Sequence, residues 1–228
     1  MNGIGGSGPR IESGVTTYRR MEIIKGHCMM LHRWGLIPYE EARQRMDEVH
    51  ARACRDGRNH LILCSHPLCY TVGSDDSGAW PVPVIPTDRG GSITCHSEGQ
   101  VVAYFCFQAQ EPAAFYRKVR RAYDALFAQF LPKARYDVKR PGWYVDNRKI
   151  ASLGFRYKKG VSLHGVSLNV DVDLQAHNRV APCNLDGITA TSLAGEGVSE
   201  SKDEVEKFLV NVVQRIWNDP LSPITSDQ

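Results

Sequence analysis

Residues 143–170 read WYVDNRKIASLGFRYKKGVSLHGVSLNV, and this stretch decides the fold class. It contains three runs with the residue pattern of β-strands: Trp143–Val145, Ile150–Tyr157 and Ser162–Val170. Asp146-Asn147 separates the first two runs and Lys159-Gly160 separates the last two, and both pairs favour tight turns. The stretch therefore predicts two consecutive β-hairpins.

The sequence before and after these hairpins predicts further strands and three amphipathic helices. The helices are predicted at Pro38 to about Arg55, Pro112 to about Phe130 and Asp203 to about Trp217. The other strands are predicted at Met21–Met30, His60–Ser65 and Val101–Phe107. Strands grouped in hairpins and separated from helices indicate an α+β fold rather than a regular βαβ alternation.

The length fits one domain with short tails. The chain has 228 residues, with 42% hydrophobic and 23% charged residues, as is typical of a globular protein. Residues 1–17 are rich in Gly and Ser and are predicted to be a flexible tail. We expect a single domain over 18–218 and a second tail at 219–228.

Charge and cysteine content exclude several classes of function. The net charge of +3 is too small to indicate nucleic-acid binding, and no apolar run approaches the ~20 residues of a membrane helix. The seven cysteines are odd in number and include no Cys-x-x-Cys pair, which favours a reducing compartment. We therefore expect a cytoplasmic protein that binds neither nucleic acid nor membrane.

Two residues are candidates for nucleophilic catalysis. Cys183 lies between Pro182 and Asn184 in a polar loop, which is a poor position for a core cysteine and makes it the best nucleophile candidate. Lys149 begins a predicted strand, where a lysine is normally a solvated edge charge. If Lys149 instead faces inward toward a nucleophile, it can act as a base.

Two other segments carry candidate binding groups. Arg89-Gly90-Gly91-Ser92-Ile93-Thr94-Cys95-His96 contains paired glycines, which let backbone N–H groups approach a ligand or simply form a tight turn. His164 is expected to share a strand face with Val166 and Leu168, either as a hydrogen-bonded core residue or as a catalytic group.

Several short motifs occur together in the order found in one known family. They are Trp-Gly and Pro-Tyr within 34–39, His-Pro…Tyr-Thr-x-Gly at 66–73, Arg-Gly-Gly…Gly-Gln at 89–100, Pro-Gly at 141–142 with Lys-Ile-Ala-x-x-Gly at 149–154, His-Gly-x-x-Leu-Asn at 164–169, Pro-Cys at 182–183 and Thr-Ser-Leu at 191–193. Over about residues 30 to 215 the chain thus resembles the octanoyltransferases of lipoate biosynthesis, also called lipoyl(octanoyl) transferases.

The resemblance implies a fold, an activity and partners. The implied fold is that of biotin and lipoate protein ligase catalytic domains, a mixed and largely antiparallel sheet flanked by helices. The implied reaction transfers an octanoyl group from octanoyl-acyl carrier protein to a lysine of a lipoyl domain. The implied acceptors are the lipoyl domains of 2-oxoacid dehydrogenases, the H protein of glycine cleavage, or both.

The resemblance also implies roles for individual residues. Cys183 would carry the octanoyl group as a thioester, and Lys149 would be its general acid and base. The substrate would be bound by Arg89, Gly90, Gly91, Ser92, Ile93, Thr94, Cys95, His96, Ser152, Leu153, Gly154, His164, Gly165, Val166 and Ser167.

This chain departs from the family pattern at four positions. Cys95 stands where the family has Tyr, Ser97-Glu98 where it has Gly-Pro, and Asn184 where it has Gly. The first three lie in the segment expected to wrap the acyl chain, so they bear on the chain length that is accepted.

Three other functions stay open on the sequence alone. An ATP-dependent lipoate ligase would share the fold, but the sequence has no P-loop. A non-catalytic protein that binds acyl carrier or lipoyl domains would not need Lys149 and Cys183, and a cysteine hydrolase would usually pair its Cys with a His. No complete set of metal ligands is visible, so we expect neither a metal nor a cofactor.

Overall fold

The computed structural model describes residues 29–180 and 187–218, together with the backbone of Arg20–Ile23. Both predicted tails and the Pro182-Cys183-Asn184 segment lie outside these residues. The strands are β1 Arg20–Ile23, β2 Met29–Leu36, β3 Asn59–Ser65, β4 Cys69–Val72, β5 Ile85–Pro86, β6 Thr94–His96, β7 Gln100–Cys106, β8 Arg135–Asp137, β9 Gly142–Val145, β10 Arg148–Lys158, β11 Val161–Asn169 and β12 Thr189–Ala190. The helices are α1 Tyr39–Asp56, α2 Pro112–Phe130, α3 Leu174–His177 and α4 Lys202–Asn218.

A mixed, largely antiparallel sheet forms the centre of the fold. Its strand order is β1-β2-β3-β7-β11-β10-β9-β8, and β12 pairs with the first residues of β10. The β2–β3 and β10–β12 pairs are parallel, and the other pairs of this sheet are antiparallel. The predicted α+β class is therefore confirmed.

The central strand β7 shows how helices cover both faces of the sheet. Val102, Tyr104 and Cys106 pack in one core with apolar residues of α1. Val101, Ala103 and Phe105 point to the other face and pack in a second core with α2 and α4. Because both faces are buried, β7 reads as a continuous apolar run rather than an alternating one. None of the helices in the described ranges is long and apolar enough to cross a membrane.

The two predicted hairpins are present, with β9 against β10 and β10 against β11. Asp146 takes a φ of 52° in the first turn, and Lys159 and Gly160 take 54° and 73° in the second. Two consecutive residues with positive φ are typical of the turn whose twist matches that of flanking strands. The second turn, at Lys159 and Gly160, therefore has the backbone conformation that suits the register of β10 on β11.

The N-terminal prediction is wrong in one respect. A single strand was expected over Met21–Met30, whereas β1 and β2 are separate strands that pair antiparallel, with Ile23 opposite Met30. The apolar residues at both ends of the stretch suit strands, and their spacing alone does not reveal that the chain reverses between them.

A second sheet of three strands, in the order β5-β4-β6, carries residues of the Arg89–Gln100 segment. Tyr70, Ile93 and Cys95 of this sheet region form a small core with Val180. Thr94 and His96 of β6 lie beside Val102 and Tyr104 of β7, so the small sheet covers the α1 face of the main sheet. A cleft lies between the two sheets.

Candidate active site

Two adjoining cavities occupy the cleft between the sheets. The one called here the inner cavity is lined by Tyr39, Arg89, Thr94, His96, Val102, Tyr104, Ser152, Leu153, Gly154, His164, Gly165, Val166 and Ser167. The one called the lysine cavity is lined by Ile93, Thr94, Cys95, Gln100, Lys149, Ser152, Asn169, His177, Val180 and Ala190. Thr94 and Ser152 line both cavities, so the two cavities adjoin at these residues.

Most of the predicted binding residues meet at these cavities. All of them line one cavity or the other except Gly90, Gly91 and Ser92. These three hold the loop instead: the Gly90 N–H donates to Phe155 O at 3.2 Å, and Gly91 and Ser92 donate to the carboxylates of Asp75 and Asp76. They therefore position the segment that follows.

Lys149 faces inward, which decides between its two readings in favour of a buried amine. Its residue is 2% exposed, and Nζ donates to the carbonyl of Pro141 at 3.2 Å. The register of β9 on β10 shifts between Lys149 and Ala151, which is the irregularity of a β-bulge. A bulge re-aims the side chains beside it, and here it lets Lys149 line the cavity while Ile150 and Ala151 stay in the core.

Arg89 is also buried, and its guanidinium holds the small sheet. Nη2 donates to the backbone carbonyl of Thr71 at 3.0 Å and to its hydroxyl at 2.9 Å. A Cβ built on Gly154 would lie 2.7 Å from the Gly90 carbonyl oxygen, so only glycine lets the Arg89 loop pack this closely on β10.

His164 departs from the predicted strand alternation. Its φ is 63°, in the left-handed region. Val166 and Leu168 belong to the core under α2 and α4, whereas the His164 ring lines the inner cavity and reaches Asp88 at 2.8 Å. Val166 also lines the inner cavity, so it is Leu168 that lies away from the His164 ring. The prediction that the three share one face is therefore wrong for Leu168, because the positive φ of His164 breaks the period-2 alternation.

A cluster of aromatic rings at the inner cavity was missed from the sequence. The rings of Tyr39 and His96 stack with centroids 5.6 Å apart, and His66 contacts both rings edge-on. His66 Nδ1 donates to the Ile37 carbonyl at 2.8 Å, and Nε2 accepts from the Tyr104 hydroxyl at 2.8 Å. Burial lowers the pKa of His66 to about 4 and that of His96 well below its usual value, so both rings are neutral near pH 7.

A hydrogen-bond chain connects this cluster with the strand of Lys149. Gln100 accepts from His96 Nδ1 at 2.8 Å and donates to Asn169 Oδ1 at 2.9 Å. Asn169 in turn donates to Thr191 O, and the Thr191 N–H donates to Lys149 O. The Gly-Gln, Leu-Asn and Thr-Ser-Leu motifs therefore meet in one buried network.

The departures from the family pattern occupy different places. Cys95 lines the lysine cavity, and burial raises the pKa of its thiol to about 12. The hydroxyl of Ser97 is within 2.9 Å of His177 Nε2, in α3. Glu98 is exposed and is not among the residues that line either cavity. Asn184 and Cys183 lie outside the described residues, so their predicted roles stay predictions.

Comparisons with known proteins agree on one family. The model of the lipoyl protein ligase A/B catalytic domain matches residues 38–214. An octanoyltransferase of Thiobacillus denitrificans is 32% identical over 82% of this chain and 90% of its own length. An octanoyltransferase of Methylococcus capsulatus is 36% identical over 77% of this chain and 89% of its own length.

The structural neighbours have the same fold with little sequence identity. A bipartite lipoate protein ligase of Thermoplasma acidophilum superposes with a TM-score of 0.63 at 15% identity, covering 82% of this chain and 83% of that one. This similarity identifies the fold of the lipoate and biotin ligase catalytic domains. The choice of activity rests on the closer octanoyltransferase relatives.

Proposed function

The chain belongs to the octanoyltransferase family, and on that premise we propose that it transfers octanoyl groups from octanoyl-acyl carrier protein to lysines of lipoyl domains. Family membership makes the protein an acyltransferase of lipoate metabolism. The donor, the acceptors and the catalytic residues go beyond family membership and are what we propose here.

The observation that carries the proposal is that the buried Lys149 shares a cavity with residues that precede and follow the Cys183 segment. Val180 lines the same cavity as Lys149, and Cys183 follows Val180 by three residues. Three residues span at most about 11 Å. On the other side of the segment, Ala190 pairs directly with Lys149. Residues on both sides of the segment thus line the cavity that Lys149 lines.

In the first half-reaction, Cys183 is the nucleophile. An unperturbed thiol has a pKa of ~8.5 and an ammonium one of ~10.4, so a neutral amine beside a thiol takes its proton. The Cys183 thiolate then attacks the carbonyl carbon of the donor thioester. The carbonyl carbon forms a bond to Cys183 Sγ, the bond to the carrier sulfur breaks, and Lys149 returns the proton to that sulfur. Exchange of one thioester for another is nearly isoenergetic.

In the second half-reaction, the ε-amine of the acceptor lysine attacks the Cys183 thioester. A carbon–nitrogen bond forms and the bond to Sγ breaks. Lys149 accepts a proton from the attacking nitrogen and delivers it to the Cys183 thiolate. The free enzyme is regenerated without a nucleotide or a metal in either step.

The two adjoining cavities suggest the path of the acyl chain. The thioester carbonyl would lie in the lysine cavity, and the octanoyl chain would pass between Thr94 and Ser152 into the inner cavity. Val102, Leu153 and Val166 give that cavity apolar walls, and each buried methylene contributes about 0.8 kcal/mol to binding. The residues from Arg89 to His96 and from Ser152 to Gly154 are the proposed substrate-binding segments, with His164 to Ser167 opposite them.

The partners and the location follow from this reaction. The proposed acceptors are lipoyl domains of 2-oxoacid dehydrogenases, the H protein of glycine cleavage, or both. The odd number of cysteines, with no Cys-x-x-Cys pair, supports a reducing compartment, and we place the protein in the cytoplasm.

Intact mass spectrometry after incubation with octanoyl-acyl carrier protein tests the proposal. We expect one octanoyl adduct on the enzyme, with transfer to an added lipoyl domain in buffer that contains EDTA and no ATP. The control donor is acyl carrier protein without the octanoyl group. Transfer that requires ATP would favour a lipoate ligase, and binding of the carrier with neither adduct nor transfer would favour a non-catalytic binding protein.

A further inference from the structure

Tyr144 lies directly opposite Lys149 in the β9–β10 hairpin. Its residue is 3% exposed, and Lys149 Nζ lies over its ring at 5.3 Å from the centroid. The guanidinium carbon of Arg140 lies over the same ring at 5.0 Å. No function described so far uses this aromatic ring.

The surroundings of Lys149 leave its amine little freedom. A Cβ on Gly142 would lie 2.6 Å from Lys149 Cε and 3.1 Å from Nζ, so the lysine side chain fills the space that any other residue would need there. The Pro141 carbonyl accepts one Nζ hydrogen bond. The ring face of Tyr144 lies beside the same amine, and a ring face attracts cations through its negative quadrupole.

This arrangement matters when the amine becomes charged. A buried ammonium is costly unless neighbouring groups stabilise it, and the proposed reaction creates one each time Lys149 takes the thiol proton. The Arg140 charge over the same ring is balanced by Asp137, whose carboxylate accepts from Arg140 Nε at 2.6 Å. The ring face therefore adds to the stabilisation of an ammonium at Lys149.

We propose that Tyr144 is a positioning residue that directs the Lys149 amine into the cavity and favours the thiolate–ammonium pair over the neutral pair. The inference rests on the proposed function of Lys149 and deepens it. Tyr144 contacts neither the acyl group nor the carrier in this scheme. It acts through Lys149 alone.

The other titratable groups around Lys149 allow this effect to be isolated. Cys95 and His177 line the same cavity, and burial raises the pKa of Cys95 to about 12 and lowers that of His177 to about 4. Neither ionises between pH 6 and 9. Arg140, which precedes β9, forms an ion pair with Asp137 at the end of β8. Arg148, the first residue of β10, pairs with Glu196. A change in the alkylation midpoint of Cys183 within this range is therefore not caused by ionisation of Cys95 or His177.

The experiment compares Tyr144→Leu with Tyr144→Phe in the full-length enzyme. For Tyr144→Leu we expect kcat for octanoyl transfer to fall roughly tenfold with KM for the carrier little changed, since a desolvated cation–π contact is of that strength. The pH midpoint of Cys183 alkylation by iodoacetamide, followed on its own peptide, should rise by about one pH unit. Tyr144→Phe restores the ring and should rescue most of both losses.

A second series guards against a folding defect in Tyr144→Leu. Phenylalanine analogues with one, two or three ring fluorines at position 144 keep the shape of the ring while they weaken its quadrupole. A stepwise fall in kcat with fluorination supports the inference. An alkylation midpoint and a kcat that do not change across the series overturn it.

Lys149→Ala separates failure of this inference from failure of the proposed function. If Lys149→Ala transfers octanoyl groups at the wild-type rate, the proposed role of Lys149 is wrong and the inference falls with it. If Lys149→Ala is inactive and the fluorinated variants behave as wild type, only the role of Tyr144 is overturned.

Discussion

His164 Nε2 lies 2.8 Å from Oδ1 of Asp88, and this contact ties the residue before Arg89 to the middle of β11. Burial lowers the pKa of His164, so its ring is neutral near pH 7 and Nε2–H donates to the carboxylate. Partial burial acts to raise the pKa of Asp88, but the hydrogen bond from His164 and the nearby Arg156 charge hold it below its usual value. A hydrogen bond from the neutral His164 ring to Asp88 thus holds the loop that contains Asp88 and Arg89 against β11.

Acidification is expected to unfold the protein through its buried histidines. Burial lowers the pKa of His66 and His177 to about 4, and burial together with His60 does the same for His32. The unfolded chain therefore takes up protons near pH 6.5, while the folded chain resists them down to about pH 4. Stability is complete above pH 6.5 and is lost as the pH falls through this window, by on the order of 3 kcal/mol for each such group.

Thermal melts between pH 8 and pH 5 check this expectation. The melting temperature should stay level above pH 7 and fall steeply below pH 6.5. In His177→Gln, which cannot be protonated, the fall should be shallower. A melting temperature that holds down to pH 5 would show that these rings accept protons in the folded state.

Cys183→Ser is expected to lower octanoyl transfer by about 10³-fold or more, because a serine hydroxyl beside an amine is a much weaker nucleophile than a thiolate. Intact mass spectrometry should show no octanoyl adduct. Cys54→Ser is the matched control, since Cys54 is an exposed free thiol on α1. Wild-type transfer by Cys183→Ser would require another nucleophile.

Lys149→Arg is expected to abolish most activity although it keeps a positive charge. A guanidinium stays protonated at all working pH values, so it cannot take the thiol proton. The measurement is single-turnover acylation across pH 6–10. Without a base, the acylation rate of the Arg variant should rise only as the pH approaches the unperturbed thiol pKa of ~8.5, where the Cys183 thiol loses its proton to the solvent. If its pH–rate profile coincides with that of the wild type, Lys149 has no part in proton transfer.

Gly165→Ala is expected to destabilise the sheet at the cavity wall by several kcal/mol. A Cβ at this position would lie 1.8 Å from the Ala103 carbonyl oxygen on β7, and backbone cannot yield as a flexible side chain would. Gly90→Ala is the control, because the nearest atom to its Cβ is a side-chain oxygen of Asp75 at 3.5 Å. Urea denaturation of both variants measures the difference. Equal free energies of unfolding would mean that β7 and β11 separate freely at this point.

Local sequence patterns predicted the helices and strands, but many side chains at the two cavities come together only through contacts between segments that are distant in sequence. The turns at Asp146-Asn147 and Lys159-Gly160 are set by neighbouring residues, so the hairpins could be read directly from the sequence. Tyr39 begins α1 and stacks on His96 across the cleft. No spacing in the sequence brings these two rings together, so the aromatic cluster was not foreseen.

His164 shows a different limit of sequence reasoning. Its positive φ turns the ring to the inner cavity, yet nothing marks a histidine as left-handed in the way that glycine or asparagine is marked. The motif order placed His164 at the site, whereas strand alternation placed it in the wrong core. The motifs therefore placed His164 at the cavity that it lines, whereas periodicity assigned it to the opposite face.

Cys95→Tyr is expected to narrow the range of acyl chains that the enzyme accepts. Cys95 is 6% exposed and packs with Tyr70, Ile93 and Val180 at the wall of the lysine cavity. A tyrosine ring, which the resemblance places here in other members of the family, would occupy space that a thiol leaves open. Each methylene group then excluded costs about 0.8 kcal/mol, or roughly fourfold in specificity. Competition among hexanoyl, octanoyl and decanoyl carrier proteins measures this, with Cys95→Ala as the control that adds no volume. Identical selectivity ratios in wild type and Cys95→Tyr would mean that the acyl chain does not pass Cys95, and that this position serves only the small core of the second sheet.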